Sequence, residues 1–319
     1  MKHSYWIPTN RRIDSCLYSY IQEIEFCTDQ FRIDIPVFIL DSGNFEIETL
    51  NKSAINILKL KYPKLQLYHL TLNLQKRIIE SITKKAAASE WNMCFINDCV
   101  NYGAVMNRIF ILAAVFGFDV IHRRDSDTFL QENCPYPLEF EINYIGKPYR
   151  DNEPKVYLIG SSYIGEWNLN IKEFVINDDK LFHTFLNCLN IPESAHAPYM
   201  EETHNGCKKK YKGDYPQYIT GQEIKLPEAG NFCVYELFRY FPCMFANYTI
   251  GTDYFLFKLA IMFGYPFIFH ERRVHHRGRG QPLCGIQRHR AKTVSVFVSY
   301  PDRPKHRHRR SVSRHDGGA

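Results

Sequence analysis

The chain has 319 residues, of which 45% are hydrophobic and 15% aromatic, a composition that excludes a disordered or fibrous protein and gives ample material for a core. Its formal charge of +6 is uneven: residues 278–319 hold eight Arg and two Lys against Asp302 and Asp316, a net of +8, so the rest of the chain carries −2. The apolar run Ile109–Phe118 is too short to span a bilayer, the opening MKHSYWIPTNRR has no apolar signal core, and the ten cysteines form no CxxC pair; a chain without a membrane span, with reduced thiols in a cytoplasm, is expected.

In chain order, the front half alternates strand and helix signals. SYWIP (4–8) reads as a strand and 13–27 as a helix with apolar residues at helical spacing. IPVFIL (35–40) is a buried strand ended by the turn signal DSGN; 51–62 reads as a helix and LQLYHL (65–70) as a strand. Residues 72–90 and 102–117 give two more helices, the second closed by Gly117, and FDVIH (118–122) a fourth strand. This alternation implies an α/β protein with a mostly parallel sheet flanked by helices, whose ligands gather at the carboxyl ends of the strands.

The second half is less regular. LEFEINYIG and KVYLIGSSYIG read as strands, together a hairpin, and 179–190 as a helix. Residues 196–231 read as long loops. NFCVYELFRYF and TDYFLFKLAIMFG read as buried helices, and YPFIFHERRVHH (265–276) as a final strand. From Gly278 the aromatics nearly vanish and Arg replaces Lys as the main cation, so 1–277 is expected to be one domain and 278–319 a basic, disordered tail. Such a tail is either a basic arm for nucleic acid or an acidic surface, or sequence foreign to the native frame; the abrupt Arg/Lys change beside RGRG favours the last.

The chemistry concentrates in RRDSDT (123–128). Two carboxylates one residue apart in an extended segment can face one side, and their hard oxygens suit Mg²⁺ or Mn²⁺. A divalent ion there can stabilise a departing diphosphate, with Arg123 or Arg124 adding positive charge. The same residues also fit a turn followed by a capping box, Thr128-x-x-Gln131.

The ordered set IPTNRR (7–12), VFILDSG (37–43), GAVMNRIFILAAVFGFDVIHRRDSDT (103–128) and GTDYFLFKLAIMFGYPFIFHERRVHH (251–276) resembles the nucleotide-sugar-dependent glycosyltransferases of the GT-A fold, close to the glycosyltransferase family 2 type. The resemblance implies a GT-A-like, Rossmann-type sheet and a metal-dependent transfer of a sugar, from a UDP-sugar as the expected donor, to a small-molecule, peptide or glycan acceptor. It implies Asp127 and His276 as metal ligands, with Asp125 on metal or ribose, and Asp41 on the nucleoside. Pro8, Thr9, Asn10 and Arg11 would line the nucleotide, and Asn107, Arg108 and Arg124 would approach the diphosphate or sugar.

An inverting transferase needs a carboxylate to take the acceptor proton. Asp253 occupies that place by resemblance, although the chain has GTDY where many members carry Glu-Asp, and it lacks a Gln-x-x-Arg-Trp motif. Glu201 and Glu202 in the polar loop YMEETHNG are rivals. Two other functions fit parts of the same pattern. A sugar-phosphate nucleotidyltransferase should have glycines after the first strand, and IPTNRR has none. A nucleic-acid-binding protein would depend on the tail and bind with steep salt dependence.

Overall fold

The computed structural model describes residues 1–96, 101–165, 183–184, 187, 193–197, 211–219, 227, 230–244 and 255–276. Strand β1 (His3–Thr9) leads into helix α1 (Asp14–Phe31), then β2 (Val37–Asp41), α2 (Phe45–Lys61), β3 (Leu67–Thr71) and α3 (Leu72–Lys85). A one-turn helix α4 (Asn92–Phe95) precedes α5 (Tyr102–Val115) and β4 (Val120–Arg124). Local chemistry fixes the boundaries. Asn44, Thr71 and Asn101 each accept a backbone N–H in the first turn of the helix that follows, and Gly117, at φ +76°, stops α5 where a side chain would be strained.

The second half supplies β5 (Thr128–Leu130), α6 (Pro137–Tyr144), β6 (Leu158–Gly160), β7 (Tyr163–Gly165), β8 (Gln217–Ile219), β9 (Asn231–Tyr235), α7 (Phe255–Met262), β10 (Phe267–Phe269) and β11 (Val274–His276). Eight strands form one sheet in the order β3-β2-β1-β4-β9-β6-β10-β8. The pairings reverse only β9 and β8, so the other strands share one direction and the sheet is mostly parallel, as the alternation implied. A small second sheet, β5-β11-β7, stands beside it.

Each face buries its own core. Strand residues alternate: Trp6, Phe38 and Ile121 pack with α5 and α7, whereas Tyr5, Val37 and Ile39 pack with α1, α2 and α6. That period of two also parts Arg123 from Arg124. Arg123 lies over Phe232 on the first face and Arg124 over Tyr5 on the other.

Four local readings are corrected. LEFEINYIG is the helix α6, not a strand. Leu138, Glu141, Ile142 and Ile145 are all buried, and their spacing is helical once Glu141 counts as an inward residue. NFCVY is the strand β9, since an apolar run buried on both faces does not reveal its period. The segments 155–165 and 265–276 each split into two strands that join different sheets, so neither a hairpin nor a single final strand forms. Thr128 caps no helix; it lies in β5, bonded to Tyr20 and to the carbonyl of Asp125. The helix read at 179–190 and the basic tail fall largely or wholly outside the described residues. Among the described residues no helix is long and apolar enough to cross a membrane.

Candidate active site

The carboxyl ends of β1, β2 and β4 lie along one rim, because these strands are parallel neighbours in register: Thr9 pairs with Asp41, and Trp6 with Arg123. The chain leaves β4 through Asp125-Ser126-Asp127 and re-enters the small sheet at Thr128. There Thr128 is the register partner of His276 across antiparallel β5 and β11. Pairing thus sets Asp127 next to a histidine nearly 150 positions away.

Asp127 Oδ2 accepts a hydrogen bond from Arg11 Nη1 at 2.9 Å and lies 3.5 Å from His276 Nε2. The second distance is long for a hydrogen bond. Two atoms that bind one small dication at about 2.1 Å each, at a right angle or somewhat wider, are about 3.0–3.5 Å apart. A carboxylate oxygen and an imidazole nitrogen at this separation fit a shared Mn²⁺ or Mg²⁺, in charge as well as spacing. The side chains of Asp127 and His276 are 13% and 6% exposed, so the pair is sheltered yet open on one side, while Arg11 is 38% exposed.

Asp125 is held differently. Its Oδ1 accepts from Arg123 Nη2 at 2.8 Å and its Oδ2 from the Tyr163 hydroxyl at 2.7 Å. Its backbone N–H donates to Gly230 O, which anchors the turn to the start of β9. Tyr163 also stacks on His276, with ring centroids 5.3 Å apart. Asp125, Asp127, His276 and Arg11 therefore form one cluster. Tyr163 and Gly230 join them through pairings that no local motif announces.

The other expected residues have different surroundings. Pro8 and Thr9 end β1, where the Thr9 hydroxyl caps the turn at Arg11 and exposed Asn10 follows. Asp41 is 1% exposed; its oxygens accept from Gly43 N–H, Asn51 Nδ2 and His69 Nε2. Asn107 bonds both the N–H and the carbonyl of Cys243, tying α5 to the segment after β9. Arg108 is 4% exposed and donates to Phe95 O, and burial lowers its pKa to about 10. Asp253, Glu201 and Glu202 lie outside the described residues.

Arg124 is a correction. Expected near phosphate, it is wholly buried on the far face, paired with Glu141 at 2.9 Å and Glu23 at 3.5 Å. Burial opposes its charge, but Glu141 and Glu23 outweigh burial and hold the proton firmly. Strand alternation assigns the rim to Arg123 instead.

A second group of metal-type donors, His122, Glu141 and Cys233, is also buried. Here both nitrogens of His122 and one oxygen of Glu141 already have partners. His122 Nδ1 meets Glu141 Oε2 at 2.6 Å, His122 Nε2 meets His3 Nδ1 at 2.9 Å, and the Arg124 guanidinium neutralises Glu141. A dication would have to displace that cation in a sealed core, so this cluster is structural.

Residues 4–281 match the model of one family, described as "Family of unknown function (DUF6271)". No curated protein matches the chain. Among solved structures it is similar to glucosyl-3-phosphoglycerate synthase from Mycobacterium tuberculosis in complex with Mn²⁺, uridine diphosphate and glucosyl-3-phosphoglycerate, at 15% identity over 87% of this chain and 72% of that one, with a TM-score of 0.44. It is also similar to mannosyl-3-phosphoglycerate synthase from Rubrobacter xylanophilus, at 13% identity over 89% of this chain and 68% of that one, with a TM-score of 0.43.

Proposed function

This chain belongs to the DUF6271 family of unknown function, and we propose from the chemistry of its rim that it is a metal-dependent glycosyltransferase, taking a sugar from a nucleotide diphosphate, most simply UDP, to an acceptor hydroxyl or amine. The observation that carries this is the Asp127–His276 pair, whose facing oxygen and nitrogen stand 3.5 Å apart at the carboxyl end of a mostly parallel sheet. Asp127 and His276 would hold Mn²⁺ or Mg²⁺. Bound there, the ion would neutralise charge on the departing diphosphate.

The protein's own groups prepare that step. Arg11 brings a partly exposed guanidinium to Asp127, within reach of an incoming phosphate. Asp125 is fixed by Arg123 and Tyr163 and keeps lone pairs for a ribose hydroxyl or the ion. Asp253 or Glu202 is assigned the acceptor proton.

The test is a thermal-shift panel of nucleoside diphosphates and their sugars, with and without Mn²⁺. One nucleotide should raise the melting temperature only with the metal, since a ligand of the folded state stabilises it by mass action. No shift from any member would sink the proposal. Asp253→Asn and Glu202→Gln then separate the two bases: the right one abolishes transfer and spares donor binding.

A further inference from the structure

In the sequence Tyr163 is only part of a strand signal, yet in the structure it touches both halves of the rim. Its hydroxyl accepts the Gly230 N–H at 2.8 Å. The hydroxyl's own proton is thereby directed to Asp125 Oδ2, 2.7 Å away. Its ring stacks on His276 at 5.3 Å and 28°. Parallel pairing of β7 with β11, in the register Tyr163 to Val274 and Gly165 to His276, keeps the two rings on adjoining strands. Gly230 is fitted to the arrangement: a Cβ there would overlap the Asp125 carboxylate and the Tyr163 hydroxyl.

We propose that Tyr163 is the positioning residue of the rim, setting Asp125 and His276 relative to each other through its hydroxyl and its ring, with Gly230 as its anchor. This rests on the reading of the rim as a cation and diphosphate site. Groups behind a metal ligand fix its orientation, and their loss typically weakens binding by about 10–100-fold. The two contacts of Tyr163 are separable by substitution. Phe keeps the stack and drops the hydroxyl; Leu drops both.

The experiment measures Mn²⁺ binding to the full-length wild type, Tyr163→Phe, Tyr163→Leu and Asp127→Asn by the loss of free-ion EPR signal, with and without UDP. Circular dichroism and melting temperature report folding. Graded loss is expected: about 3-fold or more weaker Mn²⁺ binding for Tyr163→Phe with UDP present, and about 10-fold or more for Tyr163→Leu. The ring-keeping Phe variant should therefore partly rescue what Leu loses, which a merely structural tyrosine would not produce. If both variants bind Mn²⁺ as wild type does while Asp127→Asn binds none, the rim reading stands and the role of Tyr163 is overturned. If wild type binds neither ion nor nucleotide, both fall together. Should Tyr163→Leu fail to fold, Tyr163→Phe decides alone: unchanged affinity overturns the proposal.

Discussion

Arg124 and Asp125 are neighbours in the chain and belong to different worlds. Arg124 sits in a buried network of ion pairs and hydrogen bonds with Glu23, Glu141, His122, His3 and Tyr5. Asp125 opens a rim whose charges are half-sheltered and whose reach extends outward. Both regions use carboxylates, guanidinium and imidazole. They differ in closure. The sealed set balances its charges in ion pairs that water does not reach, whereas the rim holds Asp127 and His276 at a spacing that a further cation would fill.

Removing the central cation of the sealed set should give the largest effect. Arg124→Met leaves Glu23 and Glu141 buried without their counter-charge, and breaking such a group costs about 3–5 kcal/mol. Urea unfolding should show that loss; a change below about 1 kcal/mol would show that the network is not sealed. Asp127→Asn is its counterpart at the rim. Stability should change by less than about 1 kcal/mol. What disappears is the metal-dependent stabilisation by nucleotide, about 2.7 kcal/mol at a ligand concentration 100 times Kd. A variant that keeps the nucleotide shift would remove Asp127 from the site.

The same contrast explains what could be read from the sequence. Strands ending in Thr9, Asp41 and Arg124 were legible because their apolar runs and turn signals are local, and they fixed the rim. The nearness of Asp127 to His276 was legible only by resemblance, since it depends on β5 pairing with β11. The sealed network was not legible. LEFEINYIG reads as a strand, and nothing local marks Glu141 as a buried residue that meets Arg124 and His122 from the helix α6. Arg124 was misassigned for a related reason: two adjacent arginines look equivalent until the strand sends them to opposite faces. Tyr163 and Gly230 carry no local signal, because their meaning lies in a contact between distant segments.

Acid separates the two regions by a smaller amount per unit of pH. Burial holds His3 and His270 at about 3, and it lowers His122 as well. These imidazoles stay neutral in the folded protein and become protonated in the unfolded chain below about 6.5. The unfolded state then binds more protons, so stability should fall as pH drops from 6.5 toward 3, by about 1 kcal/mol per unit for each such group. Glu141, which Arg124 and His122 hold at about 2 against the penalty of burial, adds a loss below 4.5. Glu23, raised by burial, works in the opposite direction above 4.5. Urea midpoints between pH 7 and 5 should decline, and His270→Phe should flatten the slope; midpoints that stay level would show these histidines charged in the fold.

The smallest effect on stability, and the sharpest on function, belongs to Arg11. Its pair with Asp127 is 2.9 Å long, but the side chain is 38% exposed, so water screens it and the contact is worth about 0–1 kcal/mol. Arg11→Gln should barely move the urea midpoint. The same contact competes with a metal ion for Asp127 Oδ2, so its loss should tighten Mn²⁺ binding without nucleotide, by up to about 5-fold for 1 kcal/mol. Nucleotide affinity should move the other way, because the diphosphate loses a cation. Salt should shrink both changes, as it does for exposed charges. Opposite signs for metal and nucleotide would mark Arg11 as a group shared between Asp127 and the phosphate. Equal signs would return it to the class of the sealed network, a residue whose charge serves the fold alone.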